Sequence, residues 1–305
     1  MAAIDCGTNS IRLLVADVPP DGGPLVDLRR RMEIVRLGQG VDRTGRLAPE
    51  AIERTRVALA SYAVQASSLG ARRVRMVATS ATRDAGNADD FRAMVIATLG
   101  VPPEVVTGEE EARLSFTGAV RGLPADARPP YLVVDIGGGS TEFVLGSPAG
   151  VISATSVDIG CVRMTERHLH SDPPRPGEIA AAEQAIRAGA DRALASVHGE
   201  RAGTLVGLAG SVTTVTAIAL GLPSYQPERI HHARVGYAEV AKVTDDLLAM
   251  SAERRRAIPV MHPGRADVIG AGALALRVIM ERSGASSVVA SEHDILDGIA
   301  YGLRD

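Results

Sequence analysis

The amino-acid sequence predicts an α/β protein made of two related domains, and three observations carry that prediction. Short apolar runs of β-formers alternate with longer stretches of helical periodicity along the 305 residues. A segment with three prolines and no periodicity, GLPADARPP (residues 122–130), interrupts the alternation and splits the chain into domains at 1–124 and 125–305. Each part also begins on the same pattern. IDCGTNSIRLLVAD opens the first and VDIGGGSTEFVLGS the second, with Asp5 matching Asp135, Gly7 matching Gly137 and Ser10 matching Ser140, which reads as a duplication.

In the first part, strands are predicted over residues 2–5, 11–17, 25–37 and 73–78, and helices over 49–69, 88–99 and 109–121. Pro49 suits a first helical turn, and Gly70 and Gly100 stand just past helix ends. In the second part, strands are predicted over 132–135, 141–145, 150–158, 205–208 and 287–290. Its helices are predicted over 176–197, 212–220, 237–250, 266–281 and 294–303.

Composition narrows the function. The net charge of −3 and an aromatic content of 3% without Trp speak against nucleic-acid binding, so a polyanion would need a local basic lane. Of 33 basic residues only Lys242 is lysine, and it lies in YAEVAKVTDD without glycines, which excludes a Walker-type phosphate loop. Cys6 and Cys161 have no metal-ligand spacing, so neither zinc nor a disulfide framework is expected. The N-terminus reads as strand and turn rather than signal peptide. The apolar run VIGAGALALRVIM is too short to cross a membrane and holds Arg277. No membrane partner and a cytoplasmic location are expected.

The two echoed turns can do phosphate chemistry. A glycine-rich hairpin exposes successive backbone N–H groups as an anion nest, and a Cβ there would obstruct phosphate oxygens. Thr8, Ser10 and Ser140 can add hydroxyls. An acid ending the first strand, Asp5 or Asp135, would repel a bare phosphate unless a hard cation lies between them, and Glu142 could complete that cation site. Two such hairpins across an interdomain cleft would grip one phosphate group. A third glycine turn, GLAGSVTTV, opens a helix and offers another anion site around Gly210 and Ser211. A hydrolase without a nucleophilic Cys or His motif needs a carboxylate to activate water. Glu109, Glu110 and Glu111 in TGEEEARL are candidates, and the residues alone do not choose among them.

Together AAIDCGTNSIRLLVAD, ATSATRDAGNADDF, TGEEEARLSFTGA, LVVDIGGGSTEFVLG, GCVRMTE and LAGSVTT resemble the exopolyphosphatase/guanosine pentaphosphate phosphohydrolase (Ppx/GppA) family, in family order. The resemblance covers essentially the whole chain. It implies two ribonuclease-H-like domains of the actin, heat-shock ATPase and sugar-kinase superfamily. It further implies Glu111 as the catalytic base, Asp135 and Glu142 as acids associated with magnesium, and Arg83 beside the phosphate path. Thr8, Asn9 and Ser10, Gly137, Gly138, Gly139, Ser140 and Thr141, and Gly210 with Ser211, would hold phosphate.

The activity so implied is release of terminal orthophosphate from inorganic polyphosphate by metal-assisted water attack. Further phosphates would follow a basic lane drawn from Arg163, Arg167, His231, His232, Arg234 and Arg265. The alternatives are guanosine pentaphosphate hydrolysis at the same site, against which the few aromatics speak, and a non-catalytic polyphosphate or nucleotide sensor, against which the EEARL segment speaks. No sugar-binding acid or adenosine pocket points to a sugar-type kinase. Longer family members carry extra C-terminal helical domains; the end at Asp305 leads us to expect short polyphosphates as substrate. Dimers are common in the family, so a homodimer is expected, though no segment reads as a dedicated dimer element. Leu296 precedes Asp297 and Gly298 where the family usually has Arg, which leaves the role of the SEHDILDG turn (residues 291–298) open.

Overall fold

The computed structural model describes residues 1–19 and 23–303. The chain forms two compact units, Met1–Arg121 with Asp294–Asp305, and Gly122–His293.

The first unit runs β1 (Ala2–Cys6), β2 (Ser10–Asp17), β3 (Val26–Ile34), α1 (Val41–Thr44), α2 (Pro49–Ser68), β4 (Val74–Ala78), α3 (Ser80–Arg83), α4 (Ala88–Leu99), β5 (Glu104–Val105) and α5 (Gly108–Ala119). Its sheet has the order β3-β2-β1-β4-β5, antiparallel across β3-β2-β1 and parallel across β1-β4-β5. The central strand is buried along its whole length, as expected where both faces are covered. Ile4, Leu13 and Met76 face a core shared with Leu59 and Tyr62 of α2 and Phe91 of α4.

The second unit continues with β6 (Tyr131–Ile136), β7 (Thr141–Ser147), β8 (Gly150–Val157), α6 (Cys161–His168), α7 (Pro176–Val197), β9 (Thr204–Leu208) and α8 (Ala209–Ala219). There follow α9 (Pro227–Ile230), β10 (Arg234–Gly236), α10 (Tyr237–Ala249), α11 (Ala252–Arg256), α12 (Ile269–Ser283) and β11 (Ser287–Ala290). Its sheet has the order β10-β11-β9-β6-β7-β8. Reading β6, β7, β8, β9 and β11 for β1 to β5 reproduces the first sheet in order and direction, with β10 added at an edge. The echo between the two turns is therefore an echo between whole sheets.

The chain then closes with α13 (Ile295–Tyr301). The division at residue 124 assigned this segment to the second domain, whereas it packs in the first unit. Ile295, Leu296 and Ile299 join Ala3, Leu14 and Val77 on the second face of the first sheet. Two glycines let α13 approach α5 closely. A Cβ on Gly118 would fall 1.9 Å from the Asp294 carbonyl oxygen, and one on Gly298 would fall 2.0 Å from that of Leu114. Two acids of the 291–298 turn, Asp294 and Asp297, serve this docking. Asp294 accepts from Arg12 and Asp297 pairs with Arg30 at 2.6 Å. Asp294 also caps α13 by accepting the Leu296 N–H at 3.0 Å.

Most predicted elements match within a few residues. The strand predicted to residue 37 ends at Ile34, where the chain turns through Arg36 at φ 50°. The helix predicted from 266 starts at Ile269. The elements absent from the sequence reading are short, β5 and β10 among the strands and α1, α3, α6, α9 and α11 among the helices. Short elements carry too few periods to be read locally.

Candidate functional site

The first turn lies between β1 and β2. Gly7 N–H donates to the Ser10 carbonyl at 3.0 Å, closing a tight hairpin. The Thr8 carbonyl accepts from Gly38 at 2.8 Å, and that of Asn9 from Val35 at 3.1 Å and Arg36 at 2.8 Å. The Thr8 and Ser80 hydroxyls share a hydrogen bond of 2.9 Å. Asp5, at the end of β1, stands opposite Arg12 in the β1–β2 register, and the two form an ion pair at 2.6 Å. Burial pushes the Asp5 carboxyl up from its ordinary value, opposed by Arg12, while the nearby Asp294 adds to the rise. Asp5 Oδ1 is buried without a hydrogen-bond partner among the described residues.

The second turn, Gly137 to Ser140, occupies the same place between β6 and β7. Here Asp135 stands opposite Glu142, and both carboxylates are buried. Glu142 Oε1 accepts the Ser140 hydroxyl at 2.6 Å and the Ser156 hydroxyl at 2.7 Å. The Thr141 hydroxyl donates to the Ile159 carbonyl at 3.2 Å. Ser140 and Thr141 were expected to hold phosphate, but their hydroxyls are engaged within the protein, so an anion would meet backbone N–H groups here.

Glu111 separates from its neighbours by burial. Thr107 caps α5 by accepting the Glu110 N–H at 3.2 Å, which sets the three glutamates around the first turn. Glu109 is exposed and pairs with Arg113 at 2.8 Å, and Glu110 is exposed with Arg75 at 3.9 Å. Glu111 is buried, and its Oε2 accepts from Arg83 Nη1 at 3.1 Å. The same Arg83 nitrogen donates to the Val106 carbonyl at 2.9 Å, so backbone fixes the arginine that meets the acid. Glu111 and Arg83, which the family resemblance marks as base and as the arginine beside the phosphate path, are thus in contact.

The third turn reverses the chain through Ala209, at φ 65°, into α8. The Arg265 guanidinium lies over Gly210, where a Cβ would fall 2.0 Å from Nη2, and Arg265 donates to Thr214 Oγ1 at 2.8 Å. Ser211 is buried and hydrogen-bonded to Cys161, whose thiol burial pushes up. Other lane candidates scatter. His231 and His232 stack at 3.6 Å between centroids, with His293 at 4.4 Å from His231. Burial lowers the His232 pKa, and His293 lowers it further. Arg167 is exposed, and Arg234 pairs with Asp126 at 3.0 Å. Ser156 and Ser80 were missed by sequence reasoning. Alternation on β8 marks Ser156 only once its register against β7 is known.

The donor set fits a hard divalent cation. Two buried carboxylates face each other across β6 and β7, and magnesium takes one or two carboxylates and completes its shell with water and phosphate. Among the described residues no three His, Cys, Asp or Glu side chains converge as a protein-only cage.

The repeated sheet and its acid-flanked hairpins define a protein of two α/β units built on one duplicated sheet topology. The chain belongs to the Ppx/GppA phosphatase family, whose model matches residues 14–304. It is 52% identical over 314 residues to Exopolyphosphatase 2 of Mycobacterium tuberculosis, covering 99% of this chain and 98% of that protein. A solved exopolyphosphatase-like protein matches with a TM-score of 0.94 at 42% identity, covering 99% of this chain and 98% of the other. The Aquifex aeolicus member of the Ppx/GppA family matches with a TM-score of 0.81 at 30% identity, covering 99% and 97%. No helix among the described residues is long and apolar enough to cross a membrane.

Proposed function

We propose that this protein is an exopolyphosphatase that releases orthophosphate from the end of inorganic polyphosphate. The observation that carries the reading is Glu111, a buried carboxylate held by Arg83. The 52% identity to a protein named Exopolyphosphatase 2 supports it.

In this reaction Glu111 orients the attacking water and takes its proton, and Arg83 holds the carboxylate in place. The N–H groups of Gly138, Gly139 and Ser140 bind phosphate oxygens as charge grows on them. Those of Gly210 and Ser211 offer a further donor pair in the same unit, and the first turn is a separate phosphate-binding turn in its own unit. Asp135 and Glu142 would hold magnesium, which when bound supplies neutralising charge for the phosphates. Catalysis thus rests on positioning and electrostatics rather than on a covalent intermediate. Two free, buried cysteines accord with a reducing, cytoplasmic setting. A homodimer belongs to the same reading and is checked by light scattering.

The test measures phosphate release from tripolyphosphate, long-chain polyphosphate and guanosine pentaphosphate, with magnesium and with a chelator. Wild type should act on polyphosphate only with the metal. Glu111→Gln should lower kcat by about 10²–10⁴-fold while ligand binding persists. Binding without release by wild type would favour the sensor. Preference for guanosine pentaphosphate would change the substrate.

A further inference from the structure

The turn after β6 has carbonyls as well as N–H groups, and the destination of the carbonyls decides what the turn presents. Cys161 N–H donates to the Gly137 carbonyl at 2.9 Å, and the N–H groups of Val162 and Arg163 to that of Gly138 at 2.8 and 3.1 Å. Gly160 N–H reaches the Gly139 carbonyl at 3.3 Å, and Arg163 Nε donates to the same oxygen at 2.8 Å. The start of α6 therefore spends its unpaired donors on the glycine turn. A Cβ on Gly160 would fall 2.4 Å from the Gly138 carbonyl oxygen, so the approach needs glycine.

Peptide planarity then sets the other face. In a trans peptide the N–H points opposite to the C=O of the preceding residue. Turning the carbonyls of Gly137, Gly138 and Gly139 toward α6 turns the N–H groups of Gly138, Gly139 and Ser140 away from it. None of those three N–H groups donates to another group among the described residues. Glycine peptides rotate easily, and one rotated peptide would aim a carbonyl oxygen at an anion. The first unit uses a similar arrangement, with backbone N–H groups of residues 35–38 after β3 holding the Thr8 and Asn9 carbonyls. In the second turn an arginine side chain, that of Arg163, joins the backbone donors.

We infer that Arg163 is a positioning residue for phosphate binding, its Nε–H fixing the Gly139 carbonyl so that the Ser140 N–H faces the anion. The inference rests on reading this turn as a phosphate site. It moves Arg163 from the expected basic lane, where its charge would meet substrate, to the back of the turn, where its hydrogen bond matters. The side chain is only 11% exposed and also lies 3.7 Å from Asp158.

Two substitutions separate hydrogen bond from charge. Arg163→Gln places an amide nitrogen at the chain position of Nε without the charge, and Arg163→Met places a methyl there. Binding of inorganic tripolyphosphate is measured by calorimetry in the Glu111→Gln protein, where turnover does not interfere. Arg163→Met should weaken binding about three- to tenfold, the worth of one hydrogen bond, and Arg163→Gln should recover most of that loss. The salt dependence of binding should keep its slope in both, since no phosphate contact is removed. Equal weakening by Gln and Met, with a flatter salt dependence, would mean that Arg163 touches the ligand and would overturn the inference.

Hydrogen exchange supplies a readout independent of substrate. Amides of Cys161, Val162 and Arg163 should exchange faster in Arg163→Met, and Arg163→Gln should slow them again. Unchanged exchange in Arg163→Met would also overturn the inference. The expected exchange pattern in a protein that does not bind tripolyphosphate would support the clamp and overturn the phosphate reading of the turn.

Discussion

The two echoed hairpins share a backbone and treat charge in opposite ways. Asp5 and Asp135 end equivalent strands, and each faces one cross-strand partner. In the first unit the partner is Arg12, which also donates to Asp294 and ties α13 to the sheet. In the second unit the partner is Glu142, so two buried carboxylates stand directly opposite each other. Like charges in that position repel. One copy of the duplicated turn has thus become an internal ion pair that holds the fold. The other keeps two facing carboxylates, the pair that the proposed function assigns to a metal.

Substitutions can break that contrast, beginning with the largest effect. Glu142→Gln keeps an oxygen for the Ser140 and Ser156 hydroxyls but removes one of the facing charges. Phosphate release should fall about a hundredfold or more, while metal-free stability holds or rises by up to about 1 kcal/mol. A clear loss of metal-free stability would show that the carboxylate pair is structural after all. Arg12→Met should do the reverse, removing about 3 kcal/mol of stability in urea denaturation by leaving two buried carboxylates uncompensated. That figure sits at the low end of the range because Arg12 is 21% exposed. If the substitution proves neutral, the contrast between the units fails.

The smallest effect is pH-dependent. The folded-state pKa of Asp5 is raised above its ordinary 3.8, so the folded state holds this proton more tightly than the unfolded chain. Its contribution to stability is full below the unfolded pKa and declines as pH rises through the folded value. Relative to Asp5→Asn, the stability of wild type should decline as pH is raised upward from about 4, read from urea midpoints across that window. A difference that grows in wild type's favour with rising pH would reverse the sign and remove burial as the dominant cause.

Local pattern carried the α/β alternation, the two glycine turns, their duplication and the family resemblance, because strand and turn signals lie within a few residues of one another. It did not reach the assignment of α13, which depends on Gly298 meeting the Leu114 carbonyl far away in sequence. Choosing Glu111 bottom-up among three adjacent glutamates required burial, since all three suit the first turn of a helix. The partner of Glu142 shows the reason most plainly. Ser147 pairs with Gly150 across a two-residue turn, and counting back from there would set Glu142 against Thr155. A shift between Leu145 and Gly146 instead sets it against Ser156, whose hydroxyl it accepts. Side chains alternate faces along a strand, so a one-residue shift of register exchanges which ones meet. Residue types and turn chemistry could be read from neighbours in the chain; which distant side chains share a face was set by strand register, helix crossing and burial.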